Sequence, residues 1–166
     1  MQVPGFADQA ARLMTLLDQV RACNLCARHL PHAPKPVLRA SRSAKFLVIG
    51  QAPGTRVHAT GIPWNDASGR RLRQWMGIDD AQFYDETLVA IVPMGFCYPG
   101  RGRSGDLPPR PECAPAWHQQ ILDLLPSIQT TLLIGRFAQD YYLYGSHRTL
   151  VDRVRDWRDF APRYFV

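Results

Sequence analysis

Apolar residues recur at helical spacing between Phe6 and Arg21 (Phe6, Ala10, Leu13, Met14, Leu17, Val20), which predicts an amphipathic helix. The periodicity then stops. Cys23 to Ser43 is basic and proline-bearing and reads as a connector. Lys45–Gly50 (KFLVIG) is a short, continuously apolar run, the pattern of a parallel strand buried on both faces. Thr87–Val92 and Thr130–Gly135 repeat that pattern, and Tyr164–Val166 reads as the start of a fourth strand. Between them, Ser68–Met76, Pro115–Leu125, Phe137–Leu143 and Thr149–Trp157 read as helices, with Ser68 as a cap of the first. Gln51–Gly61 and Tyr98–Pro111 read as loops. Strands alternating with helices predict an α/β fold of three layers, helices on both faces of a central, mostly parallel four-stranded sheet. Ligands bind such sheets at the carboxyl ends of the strands, so chemistry is expected in the loops after Gly50, Val92 and Ile134.

The 166 residues suit one domain, and a domain of this length buries roughly 68–70% of its unfolded surface, enough for a core that needs no metal to form. No apolar run reaches the ~20 residues of a membrane span, and the N-terminal MQVPGFADQAARLM is not a secretory signal. A cytoplasmic, reducing location follows as the expectation. There, cysteines at ligand spacing favour metal over disulfides. The four cysteines come as two pairs: Cys23 and Cys26 in a C-x₂-C turn, then Cys97 and Cys113 around a Pro- and Gly-rich loop. A four-thiolate site would close that loop onto the N-terminal arm.

The net charge of +6 is unevenly placed. From Arg21 to Ile78 there are ten Lys or Arg and one acid, Asp66. Clustered positive charge is the footprint of a polyanion partner, nucleic acid first, or of a solvated basic face. Arg70, Arg71 and Arg73 at a helix start, and Arg101 and Arg103 in the glycine-rich loop, are candidate phosphate contacts.

Gly50-Gln51-Ala52-Pro53-Gly54 follows the first strand; glycine admits close approach of a ligand to the backbone, and proline fixes the turn. Trp64, Asn65 and Asp66 then precede a helix. Trp64 is either a surface on which a base stacks, worth ~1–3 kcal/mol, or a core aromatic.

These spacings resemble the uracil-DNA glycosylase superfamily, and in particular its iron–sulfur (family 4) branch. That branch carries G-E-A-P-G, six residues, then G-R-P-F. Here Gly50–Gly54 is followed by Thr55 to Thr60 and then Gly61-Ile62-Pro63-Trp64. The family's F-V-G-x-A-G-x-L-L resembles Trp64 to Leu72, and its four cluster cysteines match Cys23, Cys26, Cys97 and Cys113. The resemblance covers about residues 20–135. It implies a [4Fe–4S] cluster on those thiolates, with zinc in a Cys₄ site as the alternative. It also implies DNA, uracil-containing or otherwise damaged, as the partner of a monomeric protein. A flipped base would then rest on Gly50, Ala52, Pro53, Gly54, Trp64 and Asn65.

The sequence departs from that family at three points. The motif glutamate, which helps position the attacking water, is Gln51, and an amide is no base. The asparagine that reads uracil, four residues before the third cysteine, is Pro93. The H-P-S-P motif that supplies a histidine would follow the fourth strand, beyond Val166, so the resemblance implies a domain over 1–166 without its C-terminal segment. Asp66, His58 and Asn65 are candidate substitutes, beside Gln51 itself. Asp66 equally suits a helix cap, His58 an exposed loop and Asn65 a turn. Two functions stay open: a base-excision glycosylase cleaving the N-glycosidic bond, and a catalytically inactive DNA-binding relative that keeps the metal. A zinc-stapled nucleotide-binding protein is a third.

Overall fold

The computed structural model describes residues 6–144, 148–161 and 163–166, and the side chains of Phe6 and Ala7 lie outside that description. Helix α1 (Phe6–Arg21) matches the predicted span and buries Leu13, Leu16, Leu17 and Val20 along one face. Strands β1 (Phe46–Ile49) and β2 (Val89–Ile91) follow, with α2 (Thr55–Thr60), α3 (Ala67–Met76) and α4 (Asp80–Tyr84) between them. A small hairpin of β3 (Arg101–Gly102) and β4 (Gly105–Asp106) precedes α5 (Cys113–Leu122). Then come β5 (Thr130–Leu133), α6 (Arg136–Tyr142), α7 (Leu150–Arg155) and β6 (Tyr164–Phe165).

Among the described residues, four strands form one sheet in the order β2-β1-β5-β6, every pair parallel. The alternation of side chains along each strand makes the three layers. Leu47, Ile49, Ala90, Val92 and Leu133 point to the face covered by α1, α5 and α6, joining Val20, Ile121 and Ala138. Val48, Val89 and Ile91 point to the opposite face, where Leu72 of α3 and Phe83 of α4 cover them. Continuous apolar runs were therefore the right strand signal, because both faces are buried.

Two loop expectations are revised. Gln51–Gly61 contains α2, ended by Gly61 in the left-handed region at φ 73°. The Tyr98–Pro111 segment contains the β3–β4 hairpin. The cap of α3 is Asp66, as its alternative reading had it, rather than Ser68. Asp66 accepts from the Gly69 N–H at 2.9 Å, and Ser68 donates its hydroxyl to the same Asp66 oxygen at 2.6 Å. Asp79 and Gln82 form a reciprocal capping box on α4. The connector is ordered by backbone pairing along the free edge of β2: Arg39 and Ile91 exchange hydrogen bonds at 2.9 and 2.7 Å, and Val37 N–H donates to Phe96 O at 2.8 Å.

Candidate active site

The carboxyl ends of three neighbouring parallel strands open into one cavity of about 590 Å³. Gly50 and Gln51 supply its wall after β1, Pro93 after β2, and Ile134 and Gly135 after β5. The loop bearing Trp64 and Asp66 closes one side. Ser104, Gly105 and Asp106 of the hairpin close another. The volume lies within the ~300–1,000 Å³ range of small-molecule sites.

The Gly50–Gly54 backbone is pinned by its neighbour. Met94 N–H donates to Gly50 O at 2.8 Å and Gly95 N–H to Gln51 O at 2.9 Å, so the sheet pairing runs on past the strand ends. Trp64 takes φ 55°, the one left-handed non-glycine residue among those described. Its indole packs on Gly50, where a Cβ would stand 2.7 Å from Cζ2. Its carbonyl packs against Gly69, where a Cβ would stand 1.8 Å from the oxygen. Trp64 both lines the cavity and packs on the core cluster of α3 and α4, so the stacking and core readings coincide in one side chain.

The other sequence-predicted residues divide. Gly50, Gln51, Ala52, Pro53, Gly54, Trp64 and Asp66 line the cavity. Gln51 is engaged with the hairpin, its Nε2 donating to Leu107 O at 3.0 Å. Asp66 spends one carboxylate oxygen on the helix cap. Asn65 sits between two cavity residues without lining the cavity itself. His58 also lies outside the lining. It stacks on His32 at 5.2 Å and packs on Tyr98 at 5.9 Å. Burial, then the neighbouring His32 and Lys35, lower its pKa from the ordinary imidazole value. Neither lines the cavity as a catalytic substitute would, and α2 turns His58 toward the connector, where Lys35 Nζ donates to the His58 carbonyl at 2.6 Å.

The arginines divide as well. Arg70, Arg71, Arg101 and Arg103 are exposed, on the helix and hairpin that border the cavity. Arg73 is 7% exposed: its Nε meets Asp80 at 2.6 Å, its Nη1 donates to Trp64 O at 3.3 Å, and its guanidinium lies over Phe83 and Tyr84. It is a structural tie rather than a free phosphate contact.

Pro93, at the position of the family's asparagine, lines the cavity, and its carbonyl is fixed from behind by His118 Nε2 at 3.0 Å. A carbonyl only accepts, so Nε2 carries the proton and Nδ1 accepts from Tyr142 OH at 2.6 Å. Burial pushes the His118 pKa down to about 4, so the ring is neutral at physiological pH.

All four cysteines are free thiols. Burial first, and then the charges of the other cysteines, raise Cys26, push Cys97 up to about 11 and Cys113 up to about 12. Two backbone N–H groups oppose this: Lys35 to the Cys97 sulfur, and Phe96 to the Cys113 sulfur at 3.4 Å. The N-terminal arm meets the second pair's loop where Pro31 packs on Gly100, a Cβ there lying 3.3 Å from Pro31 Cγ. Among the described residues no three His, Cys, Asp or Glu side chains gather at the spacing of ligands around one metal ion. Four thiols within reach of one another's charge, Cys26 and Cys113 buried and Cys97 and Cys113 supplied with N–H donors, fit a thiolate-held group.

Asp106 is the acidic cavity residue that sequence reasoning missed. Its Oδ2 reaches 3.3 Å from the position of a Cβ on Gly54. The available signal was an acid directly after Ser104-Gly105, inside the loop that the two cysteines close.

No helix among the described residues is long and apolar enough to cross a membrane. The family model of the Uracil DNA glycosylase superfamily matches residues 39–165, a span that takes in the sheet, the Gly50–Gly54 motif and every cavity-lining residue but Val37. With an all-parallel β2-β1-β5-β6 sheet and a cavity at its strand ends, this chain belongs to the uracil-DNA glycosylase superfamily.

Proposed function

We propose that the protein is a DNA base-excision glycosylase, which draws uracil or another damaged base out of the stack and hydrolyses its N-glycosidic bond. The observation that carries this reading is the cavity itself: a pinned Gly-Pro backbone on one wall, the Trp64 indole on another, and carboxylates at the rim. A flipped base is flat and offers amide edges. An aromatic surface and backbone groups are what hold it, and no base inside a duplex could reach them. Exposed Arg70, Arg71, Arg101 and Arg103 border the opening and supply phosphate contacts.

The iron–sulfur branch is part of the same proposal. Cys23, Cys26, Cys97 and Cys113 would hold a [4Fe–4S] cluster, with zinc as the alternative. When bound, that group supplies a structural tie between the N-terminal arm and the loop that carries the hairpin. The residues of the chain do the rest: Gln51 fixes the hairpin, Trp64 stacks on the base, and the backbone after Gly50 orients it.

A second reading is favoured by Gln51 and Pro93. Gln51 offers no base and Pro93 no side-chain amide, as a catalytically silent DNA-binding relative would have it. A base-release assay separates the two. It uses this chain and the gene's full reading frame on single-stranded DNA carrying one uracil, hypoxanthine or xanthine. Release that falls sharply in Trp64→Ala supports the glycosylase. No release from any substrate, with salt-sensitive DNA binding intact, leaves the silent relative.

A further inference from the structure

Asp106 is the carboxylate of the cavity that no structural duty occupies. Its backbone pairs with Arg101 across the hairpin, while its side chain reaches over Gly54 into the cavity. Among the described residues, its carboxylate has neither hydrogen-bond nor ion-pair partner. Asp66, the other cavity acid, holds the Gly69 N–H and the Ser68 hydroxyl on one oxygen. Both oxygens of Asp106 are free to take a proton, against one of Asp66, whose carboxylate the cap also holds in place, which favours Asp106.

The residue at the family's glutamate position secures this arrangement. Gln51 Nε2 donates to Leu107 O at 3.0 Å, and Leu107 N–H donates to Gly100 O at 2.8 Å. An ionised glutamate at 51 could not donate to a carbonyl. The amide at 51 and the acid at 106 therefore work as a pair: one holds the hairpin down, the other hangs from it.

Resting on the glycosylase reading, we infer that Asp106 is the catalytic carboxylate that orients and deprotonates the attacking water, and that Gln51 is its positioning residue. The water oxygen bonds to the sugar C1′. The C1′–N bond breaks and its electron pair leaves with the base. Asp106 takes a proton from the water, and the base anion is protonated by solvent. The products are a free base and an abasic sugar, and Asp106 then returns its proton to solvent. The negative carboxylate also faces the positive charge that develops on the sugar as the bond lengthens.

The test is single-turnover release from the same three single-stranded substrates, followed across acid to neutral pH, for wild type, Asp106→Asn, Asp106→Glu and Gln51→Ala. Asp106→Asn is expected to slow release ~10²–10⁴-fold, to lose the acid limb of the pH profile, and to leave DNA affinity and thermal midpoint unchanged. Asp106→Glu is expected to keep the acid limb at a reduced rate. Gln51→Ala is expected to be slower with the limb intact. An Asp106→Asn protein that matches wild type, or keeps the limb, overturns this inference and leaves the glycosylase reading standing. Wild-type protein that releases none of the bases overturns both.

Discussion

The Trp64 indole rests on the bare backbone of Gly50, with room for nothing between them: a Cβ at Gly50 would meet Cζ2 at 2.7 Å and Cη2 at 3.3 Å. The contact depends on the left-handed backbone of Trp64, whose carbonyl in turn presses on Gly69. Gly50→Ala must push the ring away, and overpacking of this kind costs ~1–3 kcal/mol. Gly69→Ala is expected to cost more, because the obstacle there is a backbone oxygen 1.8 Å away rather than a side chain. The helix propensity gained by alanine, about 1 kcal/mol, does not offset that clash. Urea unfolding of the two variants, with tryptophan fluorescence as the probe, gives the order.

Arginine substitutions are expected to separate binding from folding. Arg70→Ala, Arg71→Ala, Arg101→Ala and Arg103→Ala remove exposed charges near the cavity, and each that contacts a phosphate reduces the salt slope of DNA binding by about 1. Arg73→Ala removes the Trp64 carbonyl contact and the stacking on Phe83 and Tyr84. Its partner Asp80 is exposed, so no charge is stranded by the change. The expected result is ~1–3 kcal/mol of lost stability with the salt slope unchanged. Salt titrations of DNA binding beside thermal melts check both.

The sheet and the cavity's general position were legible because they rest on long signals. Three apolar runs bounded by Gly or turn residues marked β1, β2 and β5, and the strand-end rule placed the site after Gly50 and Val92. Three short elements escaped: α2, α4 and the β3–β4 hairpin. Helix α4 carries a full capping box at Asp79 and Gln82, yet five residues do not show a helical period. The hairpin escaped because its loop, Arg103-Ser104, lacks the Asn-Gly or Gly-X chemistry that announces a tight turn, and its strands are two residues each. Missing the hairpin meant missing Asp106. His58 and Arg73 misled for another reason. Residue type and spacing advertise chemistry, but helix phase decides whether a side chain faces the cavity, and for both it does not.

The thiols predict how a metal would be taken up. Cys97 and Cys113 are protonated at neutral pH, held up at about 11 and about 12 by burial. Loading with iron and sulfide must expel those protons, so uptake should strengthen steeply as pH rises and acidify an unbuffered solution. Cys113→Ser is expected to prevent formation of the visible absorption band. The variant should also loosen the loop that bears β3 and β4, read as faster proteolysis between Tyr98 and Arg110. An equal proteolysis rate in wild type with and without iron and sulfide would contradict the structural tie.

His118 sets a pH limit on the fold. Its ring is buried between Phe96, which it stacks on at 5.7 Å, and Tyr142, with its Nε2 proton on the Pro93 carbonyl. Burial lowers its pKa to about 4, whereas the unfolded chain holds an ordinary imidazole near 6.5. Above 6.5 neither state is protonated and the folded protein has its full stability. Below 6.5 the unfolded chain binds a proton that the folded ring refuses, so stability falls with pH until about 4, where the folded ring takes the proton too. The difference amounts to about 3 kcal/mol. Urea midpoints at neutral pH and near pH 4.5 should show that fall. His118→Leu should flatten it while lowering stability at neutral pH, because Tyr142 OH and the Pro93 carbonyl lose their shared partner. Pro93 lines the cavity, so the same substitution is expected to loosen the cavity wall after β2. A pH profile of stability that stays as steep in His118→Leu as in wild type would assign the acid sensitivity to another group.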